Sequence, residues 1–176
     1  MTWELGLSHS LFEDKLGLSI TYFQSDINNL VDSTFDSLTF TSFPAVVDTE
    51  TSGFEVEFRA NPLACLEAYF NYTYLDSAVI DGSYFGTYNP GDRLVRRPRH
   101  TLNAGVMVNG DKWKAGAEIT GAYDRIDGRD FTTNDFLYVD DYTLARFFGS
   151  CFISDKVEVY GRIENAFDRM YEQTAG

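Results

Sequence analysis

The sequence predicts an all-β chain, an antiparallel transmembrane β-barrel segment of about eight strands, with short periplasmic turns and long extracellular loops. Three observations predict it. Apolar residues recur at every second position along most of the chain, tight turns alternate with long polar connections, and aromatic rings gather near one end of the apolar faces. Residues 1–176 read as a single barrel segment. The 15 Phe and 11 Tyr suit this class, because a broad ring fits a half-buried pleated surface and a membrane interface.

The strands follow in order. Leu5, Leu7 and Leu11 alternate with Glu4, Gly6, Ser8 and Ser10, and Leu16, Leu18, Ile20 and Tyr22 with Gly17, Ser19 and Thr21. Phe54, Val56 and Phe58 oppose Glu55, Glu57 and Arg59. Leu66, Ala68, Phe70, Tyr72 and Tyr74 oppose Glu67, Tyr69, Asn71 and Thr73. Leu102, Ala104, Val106 and Val108 mark a fifth strand, and Trp113, Ala115, Ala117 and Ile119 a sixth, opposite Lys114, Gly116, Glu118 and Thr120. Val157, Val159 and Ile163 mark the last, opposite Glu158, Tyr160, Arg162 and Glu164. Asp141 to Ile153 is strand-like too, but placing Arg146 on the wet face puts Phe148 and Phe152 there as well; a bulge restores the alternation.

Tight turns are expected at Glu13-Asp14-Lys15, Asn61-Pro62, Asn109-Gly110-Asp111 and Ser154-Asp155-Lys156. Long loops are expected from Val31 to Val47, Asp76 to Pro98 and Asp124 to Asp140. Strict alternation of the two kinds puts all turns at one end of the sheet. The loops around Ser83-Tyr84-Phe85 and Thr132-Thr133-Asn134 then lie outside the cell. With that orientation, Trp3, Tyr22, Phe54, Tyr72, Tyr74 and Tyr123 fall near the outer strand ends on the apolar face, as an interfacial girdle, and Trp113 sits at the other interface. Leu18, Val56, Phe70, Val106 and Val159 are expected to face lipid between them. Runs of about 9–11 tilted residues cross a bilayer, and strands of large barrels continue past it.

Other features narrow the function. A formal charge of -13 lacks the basic footprint that nucleic acid needs. Cys65 and Cys151 are too few for a disulfide framework and read as packed, inert thiols. His9 and His100 form no metal cluster, and no run of 18 apolar residues marks a membrane helix. No nucleophile motif is present, and the wet-face acids are spread over several strands without a histidine partner, so no catalytic site and no cofactor are expected.

The run Gly161-Arg162-Ile163-Glu164-Asn165-Ala166-Phe167-Asp168, followed by Tyr171-Glu172, resembles the penultimate-strand signature of TonB-dependent outer-membrane receptors. Thr21-Tyr22-Phe23 with Ile27-Asn28-Asn29-Leu30, Gly53 to Glu57, Asn71 to Tyr74, and Arg96-Arg97-Pro98-Arg99-His100 resemble the same family in the same order. The resemblance implies the C-terminal part of a barrel of roughly 22 strands with a plugged lumen. It further implies a Gram-negative outer-membrane location, uptake of a scarce ligand such as cobalamin or a ferric siderophore, and energy from the TonB system acting through a plug. Ala166 stands where Leu is commoner in the family. Plug, energy-coupling box, signal peptide and a closing strand after Gly176 are absent from the sequence, so the chain is expected to be a fragment that neither closes nor transports alone.

Two charged groups remain. Asp124, Asp127, Asp130, Asp135, Asp140 and Asp141 share one loop with Arg125 and Arg129; the expectation is a solvated loop, with Ca²⁺ or ligand contact as the alternative. Arg93, Arg96, Arg97 and Arg99 are expected to neutralise lumen carboxylates such as Glu55, Glu57 and Glu118, or else to contact an anionic lipid or ligand. Arg93, Arg96, Arg97, Asp127 and Asp130 are therefore the candidate ligand contacts. The competing readings of the whole chain are a complete eight-stranded membrane barrel with a structural or adhesion role, and a soluble ligand-binding β-barrel.

Overall fold

The computed structural model of the chain describes residues 1–36, 41–81, 89–130, 133 and 135–172, and for 32–36 and 41–45 the backbone alone. It contains β1 (Thr2–Leu11), β2 (Leu16–Asp36), β3 (Thr41–Leu63), β4 (Leu66–Asp81) and β5 (His100–Asn109). β6 (Trp113–Tyr123), β7 (Arg125–Arg129), β8 (Phe136–Val139), β9 (Tyr142–Ser154) and β10 (Val157–Ile163) follow. Eight of them form one sheet in the order β1-β2-β3-β4-β5-β6-β9-β10, while β7 and β8 form a separate hairpin. All neighbours in the sheet are antiparallel. Among the described residues β1 and β10 each have one neighbour, so the eight strands make a wall and do not close on themselves. The closed eight-stranded reading is thereby set aside.

The registers carry the period-two pattern across the wall. Leu18 lies opposite Phe58 and Phe58 opposite Phe70; Ile20 lies opposite Val56 and Val56 opposite Tyr72. Val106 faces Ala117, and Val159 faces Cys151 beside Trp113. One face is therefore continuously apolar, and its large residues stay exposed, as they must on a surface meant for a solvent other than water. Tyr22, Phe54, Tyr74, His100 and Tyr123 stand directly opposite one another on five successive strands. The Phe54 and Tyr74 rings stack at 5.4 Å, and Trp3 meets Tyr22 at 5.3 Å. His100 joins this row, its Nδ1 2.7 Å from the Tyr72 hydroxyl.

The wet face solves a packing problem of its own. Phe23, Tyr69 and Phe148 point to it, and each stands opposite a glycine: Gly53, Gly105 and Gly116. A Cβ on Gly105 or Gly116 would lie 2.5 Å from the facing ring, so the absent side chain is what lets the ring lie against the wall. Phe148 thus keeps its inward position beside Arg146 without a bulge in the β6–β9 ladder. The bulge that does occur is at Ile153, past Phe152, and does not restore the alternation.

Turns and strand ends differ from the sequence expectation in instructive ways. The four turns lie at one end, but the one between β3 and β4 is at Ala64-Cys65. Asn61-Pro62 instead forms a bulge against β4, where proline's missing N–H breaks no ladder bond. Cys65 and Cys151 are both exposed, the first in that turn and the second on the apolar face, so the packed-thiol expectation fails. Two strands enter the expected first loop: β2 reaches Asp36 and β3 starts at Thr41. The pairs Leu30–Val47 and Val31–Val46 continue the ladder beyond a bulge at Asn28-Asn29. Strands of 21 and 23 residues run about twice the length that crosses a bilayer. β4 likewise extends to Asp81. Ser83-Tyr84-Phe85, Thr132 and Asn134 lie outside the described residues.

Candidate functional site: the loop-end arginine and aspartate assembly

Among the described residues a cluster of buried apolar side chains lies at the long-loop end. Val47 on β3 and Val79 on β4 enclose Leu94, with Leu30 and Val95 packed around them. Leu94 belongs to residues 89–99, which run along the edge of β4 before β5 begins. Gly91 N–H donates to the Val79 carbonyl, Val79 N–H to that of Asp92, and Leu75 N–H to that of Arg99. The other side of this segment meets the β7–β8 hairpin, where Arg96 N–H donates to Ile126 and Arg99 N–H to Asp124. Asp127-Gly128 bulges β7 against β8, and Ile126 is 1% exposed. Residues 89–98 of the expected long loop thus extend the wall.

Ion pairs hold this extension together. Arg93 donates to the Asp124 carboxylate at 2.9 Å and to its carbonyl at 3.1 Å. Arg99 bridges Asp124 and Asp76 at 3.0 and 3.3 Å. Arg96 Nε reaches Asp127 at 3.0 Å, and Arg129 pairs with Asp92 while lying 4.0 Å from the Phe136 ring centre. Arg125, 7% exposed, donates to the Asp140 carbonyl and stacks on Tyr142 at 4.8 Å. Asp130 accepts from Thr133 N–H at 2.9 Å at the hairpin tip. Burial pushes the Asp124 carboxyl upward, but the Arg93 hydrogen bond and the Arg93 and Arg99 charges outweigh it, leaving its pKa below the ordinary value.

Two expectations are corrected here. Arg93, Arg96 and Arg99 pair with Asp124, Asp127 and Asp76 and not with Glu55, Glu57 or Glu118, and among the described residues Arg97 pairs with none of these acids. Glu118 has its own partners, Arg146 across the strand and the Tyr69 hydroxyl. Asp124 and Asp127 of the aspartate-rich loop are held by those same arginines, so this part of it is not freely solvated. Among the described residues no group of three or more His, Cys, Asp or Glu is arranged to hold a metal ion.

Of the candidate contacts, Arg96, Arg97 and Asp127 come together, whereas Arg93 pairs with Asp124 and Asp130 follows the end of β7. Arg96, Arg97, Pro98, Arg125, Ile126, Asp127 and Val139 line one cleft of about 210 Å³. The sequence reading missed Arg125 as part of it, although Asp127-Gly128 after an alternating Arg-Ile pair is a bulged-hairpin signal. The motif from Gly161 to Tyr171 runs along β9, and its Tyr171 end approaches the cleft through Tyr142, on which Arg125 stacks. Gly161 is on the apolar face, and Arg162 pairs with Glu164 at 3.3 Å on the surface. Asn165, at φ 47°, accepts from Arg169 N–H at 2.9 Å and donates to its carbonyl at 3.0 Å. Asp168 N–H closes the turn onto Asn165, Phe167 meets Phe147 edge-on at 6.4 Å, and Tyr171 meets Tyr142 at 4.8 Å.

An antiparallel wall with one apolar and one polar face, turns at one end and long extensions at the other, defines a strand-built membrane protein of the outer-membrane type. Residues 1–166 match the family of TonB dependent receptor-like β-barrels. The chain belongs to this family and forms the C-terminal barrel portion of such an outer-membrane receptor. Solved structures agree on the fold. The ferric-catecholate import receptor Fiu from E. coli K12 superposes with a TM-score of 0.74 at 18% identity, over 98% of this chain and 24% of the receptor. The ferric citrate transporter FecA gives 0.74 at 20% identity, over 97% and 26%. The copper transporter OprC gives 0.77 at 16% identity, over 97% and 25%. The chain thus spans about a quarter of the length of the receptors it resembles.

Proposed function

We propose that this chain forms part of the wall of a receptor that captures a metal chelate of the ferric-siderophore class and admits it through the outer membrane, driven by the TonB system. The observation that carries the reading is the two-faced wall whose loop end is built out into an ordered, arginine-rich surface. Lipid covers the apolar face, the polar face lines the passage, and the loop-end assembly meets the ligand first. Within it Arg96, Arg97 and Asp127 face the cleft, while Arg93 and Asp130 shape the segments that present it. The motif from Gly161 through Arg162, Glu164, Asn165, Phe167 and Asp168 to Tyr171 pins the outward-running chain to β9. Nucleic acid has no place in this reading, given the acidity of the chain.

The test is uptake by iron-starved cells carrying the full-length receptor. Radiolabelled ferric catecholate, ferric hydroxamate, ferric citrate and cobalamin are compared with and without a working TonB protein. TonB-dependent uptake of at least one ferric chelate is expected. Uptake of cobalamin alone corrects the ligand class, and no TonB-dependent uptake of any probe refutes the function.

A further inference from the structure

We propose that the cleft between residues 96–98 and the β7–β8 hairpin is an oxyanion subsite that takes a single carboxylate or phosphate group. The proposal starts from a backbone anomaly. Successive residues of an extended chain point to opposite sides, yet Arg96 and Arg97 both line this cleft. Arg96 has φ 60°, a left-handed conformation that few residues with a side chain adopt. Its N–H bond to the Ile126 carbonyl and its Nε contact with Asp127 hold it there. Pro98 then restricts Arg97 to the extended region. The Arg-Arg-Pro sequence, bent at its first residue, brings two consecutive arginines to the lining of one space. Strain of this kind persists only where the surroundings impose it, and it gathers at binding sites.

The charge balance selects the ligand. Three arginines and one aspartate are among the residues that line the cleft, an excess of basic over acidic residues within a chain of formal charge -13. Asp127 is engaged by Arg96, and Arg125 is fixed in place by the Asp140 carbonyl and the Tyr142 ring. Arg97 is exposed, and among the described residues its side chain makes no ion pair or hydrogen bond. A planar fork with open donors beside two oriented guanidinium groups matches the bidentate geometry of a carboxylate or phosphate. The volume of about 210 Å³ is smaller than that of whole small-molecule sites, roughly 300–1,000 Å³. The cleft therefore takes one group of a larger molecule: an anionic arm of a chelate, or the phosphate of an outer-leaflet lipid. The inference rests on the uptake reading only for the source of the oxyanion.

The experiment uses purified full-length receptor in detergent, titrated calorimetrically with citrate and with inorganic phosphate. Saturable binding is expected, weakened about tenfold or more by Arg97→Gln, less by Arg97→Lys, and unchanged by Arg162→Gln on β10. Among the described residues the Arg97 side chain makes no ion pair or hydrogen bond, so its variants are expected to fold; heat-modifiable gel mobility checks this. Two further arms separate the sources. A ferric chelate with a free carboxylate is compared with its ester, and vesicles of phosphorylated lipid with vesicles of neutral lipid. Sensitivity to Arg97→Gln only for the free-carboxylate chelate assigns the cleft to the transported ligand; sensitivity only for phosphorylated vesicles assigns it to lipid. No saturable binding, or equal affinity in Arg97→Gln and the native receptor, overturns the subsite. Intact anion binding in a receptor that takes up no chelate overturns the uptake reading and leaves the subsite standing.

Discussion

Replacing Gly105 by alanine should destabilise the barrel, although the same change in a strand ordinarily helps by about 0.5–1 kcal/mol. The new Cβ would lie between 2.5 and 2.9 Å from three atoms of the Tyr69 side chain, closer than any real contact allows. The ring must swing off the wall. It then loses its cross-strand pair with residue 105, worth roughly 0.2–1 kcal/mol. Its hydroxyl also moves away from the Glu118 carboxylate beside it, where a fully formed and sheltered charge-assisted bond would be worth roughly 1.5–3 kcal/mol. The wet face shelters it only partly, so a net loss of about 1–2 kcal/mol is expected. Gly17 has no atom within 4 Å of its would-be Cβ, so Gly17→Ala should be neutral or mildly stabilising. Denaturant unfolding of the full-length receptor in detergent, followed by tryptophan fluorescence, measures both. Tyr69→Phe should cost less in the Gly105→Ala background than in the native one, because the hydroxyl contact is already gone. Alanine effects of the same sign at both glycines, or no coupling between residues 105 and 69, would refute the reasoning.

Arginine at Val106 or Phe70 should cost about 2–4 kcal/mol in bilayer-folding titrations, and Glu57→Arg far less, because only the first two face lipid. Glu118→Arg should cost more than Glu57→Arg, since it places like charge against Arg146. Asn165→Ala removes both side-chain bonds to Arg169 and should speed hydrogen exchange near that residue about fivefold, a loss of about 1 kcal/mol, readable by mass spectrometry. Asp124 has a lowered folded pKa, so its contribution is fully present above the unfolded value of about 3.9 and is lost as pH falls through the lower folded value. Exchange in residues 89–99 should therefore accelerate below pH 4 in the native receptor and less so in Asp124→Asn.

The wall was legible because its physics is local. Alternation of Leu66 to Tyr74 against Glu67 to Thr73 needs only the period of a strand, and the turn residues need only short-range geometry. What failed depends on partners distant in sequence. Arg93 and Asp124 are 31 positions apart, and nothing in either neighbourhood says that they meet. Phe148 looked misplaced on the wet face because its acceptor, Gly116, lies on another strand. Asn61-Pro62 carries the composition of a turn, yet a bulge accepts the same residues for the same reason, the tolerance of a missing N–H. His100 enters the sequence reading only as one of two histidines without a metal cluster and as the end of the Arg96 to His100 run; the β4–β5 register reveals it as a member of the aromatic row. The loop boundaries fell short because polar strands above the membrane lose the apolar alternation that marks those within it.

The most direct test of the central claim, a lipid-facing receptor wall, is a spin-label scan of the full-length receptor in bilayers. Single labels at successive residues from Leu16 to Phe23 and from Leu102 to Val108 are probed with oxygen, which concentrates in lipid, and with a water-soluble nickel chelate. The account predicts that oxygen accessibility peaks at Leu18, Ile20, Leu102, Ala104 and Val106, and nickel accessibility at Ser19, Thr21, Asn103 and Gly105, with a strict two-residue alternation. Water accessibility on both faces, or burial of the apolar residues away from both probes, would contradict it.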